Sequence, residues 1–528
     1  MAIAVALSRL FGLIPSIIVF SIIALPIAVI AYYATISAYN IWLHPLAKYP
    51  GPLLARAGPL WMIRSYFHGT MPAELLKLHE RYGPVVRTSP NELSYINPIQ
   101  WREIYGFKPH GQSEFVKDPI YHAALKPNIS ILNSDARHHG YLRRLLAHGF
   151  SEKSLRDQEP VLKAFVDTLF RRLREECGDG EKPVDIRNWY NFLSFDVISY
   201  LTFGESFNCL TTGTFHIWVA IFFSAARNFS YYQMSARLPS LIRGPFQRYF
   251  IPEKVKEDLA TIYSLNEVRF RQINLGMGLL VRLLSNEKEK TKHRLENNPS
   301  VPDFMDNLVD AYQSGKLSAE SLKENTQILI GAGSETTATC LAGLTWFLFK
   351  NPRVLEKLKT EIRSRFTHPD EITIAAVNEC RYLLGCIEEC LRMYPPSPQP
   401  HHRIIPAGGA LVNGEMLPGG TSVSIPIYAI ANSPLNWTEP ESFIPERWTG
   451  EDPRFANDRR EVSKPFSYGP RNCIGLNLAY AEMKLIMAGL IWHFDIENVT
   501  EGDWMDQKVY LVWEKGPLWV KLRPIVRT

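Results

Sequence analysis

The elements that the sequence predicts are mainly helices, with one small β region and an apolar N-terminal segment. Apolar residues recur with helical spacing over residues 318–350 and 476–494, and both runs are long. Residues 403–429 instead alternate and are rich in turn formers, which is typical of short strands. Residues 13–36 are strongly apolar. We therefore expect a mainly α fold with a small β region, preceded by an N-terminal transmembrane helix.

The composition is that of an ordinary globular protein, since 46% of the 528 residues are hydrophobic and 21% are charged. The formal net charge of +5 is too small and too dispersed to indicate a nucleic-acid-binding protein. Seven cysteines in so long a chain do not make a disulfide framework and fit a reducing compartment. Cys380, Cys386 and Cys390 lack the spacing of a zinc site, so we expect them to fill the core.

The apolar N-terminal segment has no Asp, Glu, Lys or Arg between Arg9 and Lys48. A run of this length can cross a bilayer, and membrane helices tolerate the prolines at positions 15 and 26. The alternative is a cleaved signal peptide, whose apolar core would be shorter and would end at a small-residue cleavage site. More cations follow the segment than precede it, so the positive-inside rule places the body of the chain in the cytosol.

Several further elements can be placed along the chain. Residues 44–52 contain three prolines and cannot continue a helix, so we expect a stiff hinge there. Three regions follow: a membrane anchor at 1–40, a proline-rich hinge at 41–60 and the main domain at 61–528. Within that domain the patterns predict helices over 72–81 and 382–394 and a pair of strands over 85–87 and 93–96. They also indicate an aromatic-rich segment over 215–234 and an exposed loop over 285–300.

Residues 466–475 form a loop rich in Gly and Pro that runs directly into the helical pattern of 476–494. Cys473 therefore lies just before a helix N-terminus, where backbone N–H groups and the helix dipole stabilise a thiolate, a good ligand for a soft or borderline metal. In the same loop, Gly469 and Gly475 give the backbone conformational freedom. Arg471 is a cation suited to a carboxylate, and Phe466 offers a flat apolar face. These features indicate a socket for a flat, metal-containing cofactor that bears acids, which describes haem with its propionates.

The predicted helix over 318–350 has an unusual centre, the run Gly-Ala-Gly-Ser-Glu-Thr-Thr at 331–337. Glycines, an acid and threonines are poor choices for a buried helix, and a local rule broken inside a core element often marks a functional site. Gly333 leaves room for a group beside the helix, and Glu335 can supply protons. Thr336 can turn its hydroxyl to a carbonyl one turn back.

Two pairs of charged or polar residues lie at helical spacing. His139 and Arg143 are four residues apart and share a helix face, as do Glu389 and Arg392 at a spacing of three. Taken alone, each pair is common on protein surfaces. Their order along the chain relative to the cysteine loop makes them informative.

Taken together, these motifs resemble those of the cytochrome P-450 family. The cysteine loop matches the pattern Phe-x-x-Gly-x-Arg-x-Cys-x-Gly, and residues 332–337 match Ala/Gly-Gly-x-Asp/Glu-Thr-Thr/Ser. The Glu-x-x-Arg pair and a downstream Pro-Glu-Arg at 445–447 follow in the order the family requires, and the resemblance extends over essentially the whole chain. More narrowly, the chain is similar to fungal secondary-metabolism members of the isotrichodermin hydroxylase-like group.

The resemblance implies the cytochrome P-450 fold and a set of roles. Cys473 would be the axial thiolate ligand of haem b. Glu335 and Thr336 would relay protons to the distal oxygen. Contacts to haem or its propionates would come from His139, Arg143, Gly333, Arg403, Phe466, Arg471 and Gly475. Before Arg403 the family often has proline, whereas this chain has His402 preceded by His401, and neither histidine receives a role. Arg447 would join Glu389 and Arg392 in a buried charge triad that braces the loop, and some aromatic residues of 215–234 would contact substrate.

The implied activity is that of a haem-thiolate monooxygenase, which uses O2 to oxidise, most simply to hydroxylate, an apolar small molecule. No flavin or dinucleotide motif is evident, so the electrons would come from NADPH-cytochrome P-450 reductase. The implied location is the endoplasmic reticulum membrane, with a single span and a cytosolic catalytic domain. The alternatives are a desaturase, a ring-coupling enzyme or an isomerase on the same scaffold, and a haem-binding protein without catalysis. The sequence does not identify the substrate or the carbon attacked.

Overall fold

The computed structural model of the chain describes residues 24–109, 112–122, 127–204, 206–215, 230–231, 233–250 and 304–526. The first part of the expected membrane span, most of the aromatic segment and the expected loop at 285–300 lie outside these residues.

Helices make up most of the described chain. Helices α1 to α4 span Ala24–Trp42, Leu53–Ala57, Leu60–His68 and Met71–Tyr82. Helices α5 to α11 span Ala136–Ala147, Glu152–Cys177, Ile186–Phe203, Cys209–Thr212, Ser240–Phe250, Asp306–Gln313 and Ala319–Lys350. Helices α12 to α17 span Pro352–Arg365, Ile374–Val377, Arg381–Met393, Ile427–Asn432, Glu446–Thr449 and Leu476–His493. The four helices expected in the main domain are confirmed to within a residue or two at each end.

The strands are short. Strands β1 to β6 span Val85–Ser89, Glu92–Tyr95, Val116–Lys117, Val184–Asp185, Arg403–Ile404 and Ala410–Val412. Strands β7 to β12 span Glu415–Leu417, Ser422–Ser424, Phe494–Asn498, Lys508–Val509, Trp513–Glu514 and Trp519–Pro524. The largest sheet has the order β1-β2-β8-β5-β3, in which β2 and β8 are parallel and the other neighbours antiparallel. The predicted pairing of 85–87 with 93–96 is confirmed as the β1–β2 hairpin.

Helix α1 is, among the described residues, the one helix long and apolar enough to cross a membrane. The segment that follows it is packed against the main domain. Leu46 and Tyr49 are buried there, and Arg87 donates from Nη1 to the carbonyl of Asn40 over 2.8 Å. Arg56 of α2 donates to the carbonyl of Ile41 at the end of α1 and to the carbonyl of Ala47 in the segment that follows. These contacts give the expected hinge a fixed course from the end of α1 to the main domain.

Helix α11 runs through the largest hydrophobic cluster and organises it. The Ser318 side chain caps its N-terminus by accepting from the N–H of Ser321, and Asn351 and Pro352 end it. Almost every residue from Ser334 to Leu348 is buried. Helices α7, α14 and α17 pack against it. A helix buried on nearly all sides needs no polar face, which explains why its second half is so apolar.

The charge triad expected from the sequence is formed and fully buried. Glu389 accepts from Arg392 in a two-pronged contact, with both N–O distances 2.9 Å, and from Nε of Arg447 over 2.9 Å. The sequence did not indicate two further members. Asp458 pairs with Arg447, and the indole N–H of Trp448 donates to Glu389 over 2.8 Å. The network ties α14 to α16 and to the chain that leads into the cysteine loop.

We expect the substitution Glu389→Ala to lower the free energy of unfolding by about 3–5 kcal/mol, because two guanidinium groups would stay buried without their carboxylate. The denaturation midpoint and the yield of soluble protein measure this. Glu379→Ala is the control, since Glu379 pairs with Arg365 at the surface with 69% of its side chain exposed. Equal midpoints for the two variants would contradict the structural role of the triad.

Candidate active site

The cysteine loop is closed by a hydrogen bond between its ends, in which the N–H of Cys473 donates to the carbonyl of Phe466 over 2.9 Å. Gly469 has a φ of +79°, and a Cβ there would lie 2.0 Å from the carbonyl oxygen of Tyr105. This position therefore requires glycine for both conformation and close approach. Helix α17 begins at Leu476, so Cys473 lies just before a helix N-terminus as predicted.

Cys473 differs from the other six cysteines, all of which lie in the described chain. Those six are buried, whereas Cys473 is exposed. Burial of its surroundings raises the pKa of its thiol, while the N–H of Gly475 and the charge of Arg143 act in the opposite direction. Gly475 has an ordinary backbone conformation, and a Cβ there would make only ordinary contacts. Gly475 thus contributes a backbone N–H that donates to the sulfur of Cys473. Neither its conformation nor its contacts with other protein atoms require a glycine.

Three separate elements bring cations beside this loop. Arg143 of α5 donates from Nη1 to the carbonyl of Asn472 over 2.7 Å and from Nη2 to its side-chain oxygen over 2.6 Å. Arg471 donates to the carbonyl of Ser134 over 2.9 Å. Strands β3 and β5 place Lys117 opposite Arg403 in the register of the large sheet. The predicted residues His139, Arg143, Arg403 and Arg471 are therefore brought together, and Lys117 is an additional member.

These cations are in excess over the carboxylates that face them in the described chain. Glu114 accepts from Nε of Arg471 over 3.2 Å, whereas Arg403 is bonded to the carbonyl of His402 and lies over the ring of Tyr105. Burial lowers the pKa of Arg403 to about 10 and that of Lys117 well below its usual value. An excess of buried cations requires an anionic partner.

The same charges act on His139, which is buried one turn from Arg143 on α5. Burial first, and then Arg471, Lys117, Arg143 and Arg403, lower its pKa to about 3. The imidazole is therefore neutral at physiological pH and can donate one hydrogen bond to an anion without adding charge.

Helix α11 presents Ala332 and Thr336 on a face that is more open than the rest of its second half. The Thr336 hydroxyl donates to the carbonyl of Ala332 over 2.7 Å, which confirms the contact expected from the sequence. The helix nevertheless continues without interruption from Ala319 to Lys350. Thr336 thus offers a fixed hydroxyl oxygen on the open face.

Glu335, the residue before Thr336, is fully buried and forms an ion pair with Lys515 of the C-terminal segment. Its Oε1 also accepts from the Thr339 hydroxyl over 3.2 Å, and Oε2 has no partner. Burial raises the pKa of Glu335, and the charge of Lys515 opposes this effect. In this structure the carboxyl is therefore engaged with Lys515 and Thr339.

Gly333, which was predicted to leave room for a group beside the helix, packs on one side against a side chain of a neighbouring helix. A Cβ on Gly333 would lie 2.7 Å from Cδ1 and 2.8 Å from Cγ1 of Ile198 on α7. The space beside this glycine is thus filled by a neighbouring helix. Glycine at this position lets two long helices approach closely, and the cofactor contact of Gly333 stays a prediction.

The structure also shows the surroundings of Phe466, of His402 and of part of the aromatic segment. The Phe466 ring is half-buried against the main core, with its centroid 5.1 Å from that of Tyr480 on α17. His402 is buried and stacks on Tyr121 with ring centroids 3.6 Å apart, and its Nε2 has no partner. Of the aromatic segment, the described Tyr231 stacks on Phe67 with centroids 4.6 Å apart, and residues 216–229 lie outside the described chain.

Lys117, Glu114 and Lys515 are the site residues that sequence reasoning missed. Each lies in a short strand or connecting segment without a recognisable pattern. No signal in the sequence pairs Lys515 with Glu335, which is 180 positions away.

Comparisons with known proteins identify the class. A family model described as Cytochrome P450 matches residues 50–521. The chain is 43% identical over 496 residues to the cytochrome P450 monooxygenase hepD of Aspergillus oryzae, covering 94% of each chain. It is 39% identical over 508 residues to a trichothecene C-15 hydroxylase of Fusarium sporotrichioides, covering 94% of this chain and 96% of the other. It is 38% identical over 503 residues to an averantin hydroxylase of Dothistroma septosporum, covering 94% and 90%.

The chain therefore belongs to the cytochrome P450 family. It is a haem-thiolate monooxygenase similar to those of fungal secondary metabolism, and its cofactor is haem b with a cysteine thiolate as axial ligand. The family implies O2, a redox partner and a small-molecule substrate. The described donor set fits this cofactor, since an exposed cysteine lies beside an excess of buried cations that two propionates would balance.

We expect Gly333→Ala to destabilise the protein by about 1–3 kcal/mol, because the added methyl group overlaps Ile198. Ile198→Ala alone should cost about 2–5 kcal/mol through the cavity it leaves. In the double variant the new methyl group partly fills that cavity, so the loss should be clearly smaller than the sum. Denaturation of all three variants measures this coupling, and strictly additive losses would show that Gly333 does not pack on Ile198.

Proposed function

We propose that Cys473 is the haem ligand of this monooxygenase and that the enzyme hydroxylates an apolar small molecule in fungal secondary metabolism. One observation carries the proposal: the exposed cysteine precedes the N-terminus of α17 beside the buried Arg403 of β5 and the partly buried Arg143 of α5 and Lys117 of β3. The hydroxylase names of two relatives support the reaction type.

The residues of the site fall into two groups, those that would hold the haem and those that would deliver protons. Thiolate-ligated haem supplies the oxidising power that activates O2 and transfers one oxygen atom to the substrate. Cys473 would bind the iron as a thiolate; burial raises the pKa of the free thiol, while the Gly475 N–H and Arg143 favour the thiolate form. Arg403, Lys117, Arg471 and the neutral His139 would bind and orient the propionates. Phe466 would pack against the ring as an apolar face.

On α11, Thr336 would hold a water molecule with its hydroxyl, which is already fixed by its hydrogen bond to the Ala332 carbonyl. Glu335 would act as the proton donor that replenishes this water. Thr336 does not act as a nucleophile, because no base contacts its hydroxyl in the described chain. Substrate would bind against this face of α11, and some aromatic residues of the sequence 215–234 would contact it.

The redox partner proposed here is NADPH-cytochrome P-450 reductase. Exposed Arg137 and Arg144 lie on α5, the helix whose Arg143 contacts the cysteine loop. A cationic surface at this position suits an acidic electron donor. The enzyme is proposed to lie in the endoplasmic reticulum membrane through α1, with the domain at 61–528 in the cytosol.

Turnover in vesicles with this reductase, NADPH and 18O2 tests the reaction. Incorporation of one labelled atom into a hydroxylated product supports the proposal. A rearranged product formed without NADPH would instead identify an isomerase on the same scaffold.

Cys473→Ser should abolish the red-shifted absorption band of the reduced carbon monoxide complex, because a serine hydroxyl does not provide a thiolate ligand. Cys380→Ser is the control, since a hydroxyl can donate to the Ala376 carbonyl as the buried thiol does. An unchanged band in the Cys473 variant would refute the ligand assignment.

Removal of residues 2–38 should move the protein from the membrane to the soluble fraction, since it deletes most of the exposed apolar helix α1. The cut spares Asn40, whose carbonyl accepts from Arg87. The soluble variant should keep the carbon monoxide band of the full chain. Complete retention in the membrane fraction would show that another part of the chain anchors it.

A further inference from the structure

His402 is a buried histidine at a position where the family often has proline, and the proposed mechanism does not use it. It directly precedes Arg403 of β5, one of the cations that would bind the propionates, so it lies at the border of the proposed haem site. Only 2% of His402 is exposed, and its Nε2 has no partner in the described chain. A buried polar atom without a partner costs free energy unless a bound molecule satisfies it.

The residues around His402 hold its ring in one orientation. The Tyr121 ring stacks on it, with centroids 3.6 Å apart and ring planes inclined by 4°. Tyr121 is fixed in turn, since its hydroxyl donates to Oε2 of Glu92 over 3.1 Å and accepts from Arg237. The His402 carbonyl accepts from the N–H of Asp118 over 3.3 Å, which fixes the backbone. Nε2 therefore has a fixed position and a fixed direction.

The hydrogen bonds of Ser422 assign the tautomer of His402. The Ser422 hydroxyl donates to Oδ2 of Asp118 over 2.8 Å, and Nδ1 of His402 lies 3.4 Å from the same hydroxyl oxygen. Because the hydroxyl gives its only proton to the carboxylate, Nδ1 must carry the proton of its own bond to Ser422. Burial first, and then the charge of Arg237, lower the pKa of His402 well below its usual value, so the ring is neutral. Nε2 is therefore an acceptor that needs a donor.

The surroundings of Nε2 restrict the kind of donor that can bind there. Arg237 and Arg403 both act on the His402 ring as positive charges, so an ammonium group is disfavoured. A carbonyl or ether oxygen has no proton to give. A neutral hydroxyl group has the required proton and also lone pairs that can accept. Gln399 of the same segment has a buried Nε2 donor without a partner, which such an oxygen would suit.

We propose that His402 is a specificity-determining residue, whose Nε2 accepts a hydrogen bond from a hydroxyl group of the substrate. The substrate class is thereby narrowed from an apolar small molecule to one that already carries an alcohol or a phenol. A hydroxyl held at this fixed atom limits the orientations of the substrate, and hence the carbon atoms that it presents for oxidation. The inference rests on the proposed function, because it takes the molecule bound at His402 to be the substrate.

Two probes of similar size, β-naphthol and its methyl ether, test the inference. Both contain the oxygen atom, but only β-naphthol has a proton to donate. Binding of each probe to the haem-loaded full chain is titrated through the change in the haem absorption spectrum. Wild type should bind β-naphthol about ten-fold more tightly than the ether, because the ether leaves Nε2 buried without a donor.

The variant His402→Phe keeps a flat ring that can stack on Tyr121 and removes the acceptor. Its affinities for the two probes should therefore become nearly equal. His402→Gln, whose side-chain oxygen is an acceptor, should restore part of the preference. His79→Phe is the matched control, because His79 is also buried but both of its ring nitrogens have partners, the Gly83 carbonyl and the Ser94 hydroxyl. This variant should lose stability and keep the preference for β-naphthol.

The denaturation midpoint provides a measurement that does not depend on the haem spectrum, since a bound ligand stabilises the folded state. At equal concentrations, β-naphthol should raise the midpoint of wild type more than the ether does. The two probes should act equally on His402→Phe.

The same preference for β-naphthol in wild type and in His402→Phe would overturn the inference, and it would leave an ordered water as the only partner of Nε2. A preference seen in the midpoints without any change in the haem spectrum would also overturn it, because the hydroxyl would then bind outside the substrate site. A wild type without the carbon monoxide band would refute the ligand assignment, whereas the midpoints would still measure the hydroxyl preference. If every variant keeps that band and His402→Phe alone loses the preference, both proposals are supported.

Discussion

The bond between the Cys473 N–H and the Phe466 carbonyl is the contact on which the site depends, since it closes the loop that holds the sulfur. The loop is possible only because Gly469 adopts a left-handed conformation against the Tyr105 carbonyl. From that point the chain enters α17 directly, so the sulfur shares the field of the helix N-terminus. Arg143 attaches the outer side of the loop to α5 through Asn472.

Buried charge appears in two forms in this protein, with different consequences. Around Glu389 the donors and acceptors are matched, so the network fixes the position of α14 and α16 relative to the loop. Around Arg403 and Lys117 the cations outnumber the carboxylates of the described chain, which leaves a demand for anions. A network in which cations and carboxylates balance stabilises the fold, whereas buried cations without carboxylates indicate a site for an anionic ligand. The propionates of haem would supply the missing negative charge.

The ion pair of Glu335 and Lys515 lies between these two cases. It is matched in number, yet Oε2 is left without a partner and burial opposes both charges. It also couples the centre of α11 to the C-terminal segment, which lies far away in sequence.

Sequence reasoning recovered the local features well. The cysteine before α17, the long helix α11 with its Thr336 contact and the pairing of Glu389 with Arg392 all follow from spacing within one element or one loop. It did not place Ile198 against Gly333, because a glycine in a helix indicates close approach of another group but does not identify that group. It also missed Lys117 and Lys515, because a cation in a short strand or connecting segment carries no periodic signal.

The sequence by itself therefore determined the ligand loop and the helical framework, since these depend on contacts between residues close together in the chain. The class of chemistry followed from the order of the motifs and their resemblance to a known family. Only the tertiary structure decided which cations share the site, what fills the space beside Gly333 and where the Glu335 carboxyl is engaged. These contacts join residues more than a hundred positions apart in the chain. They form only when the elements have packed, because packing is what brings the side chains together and buries them.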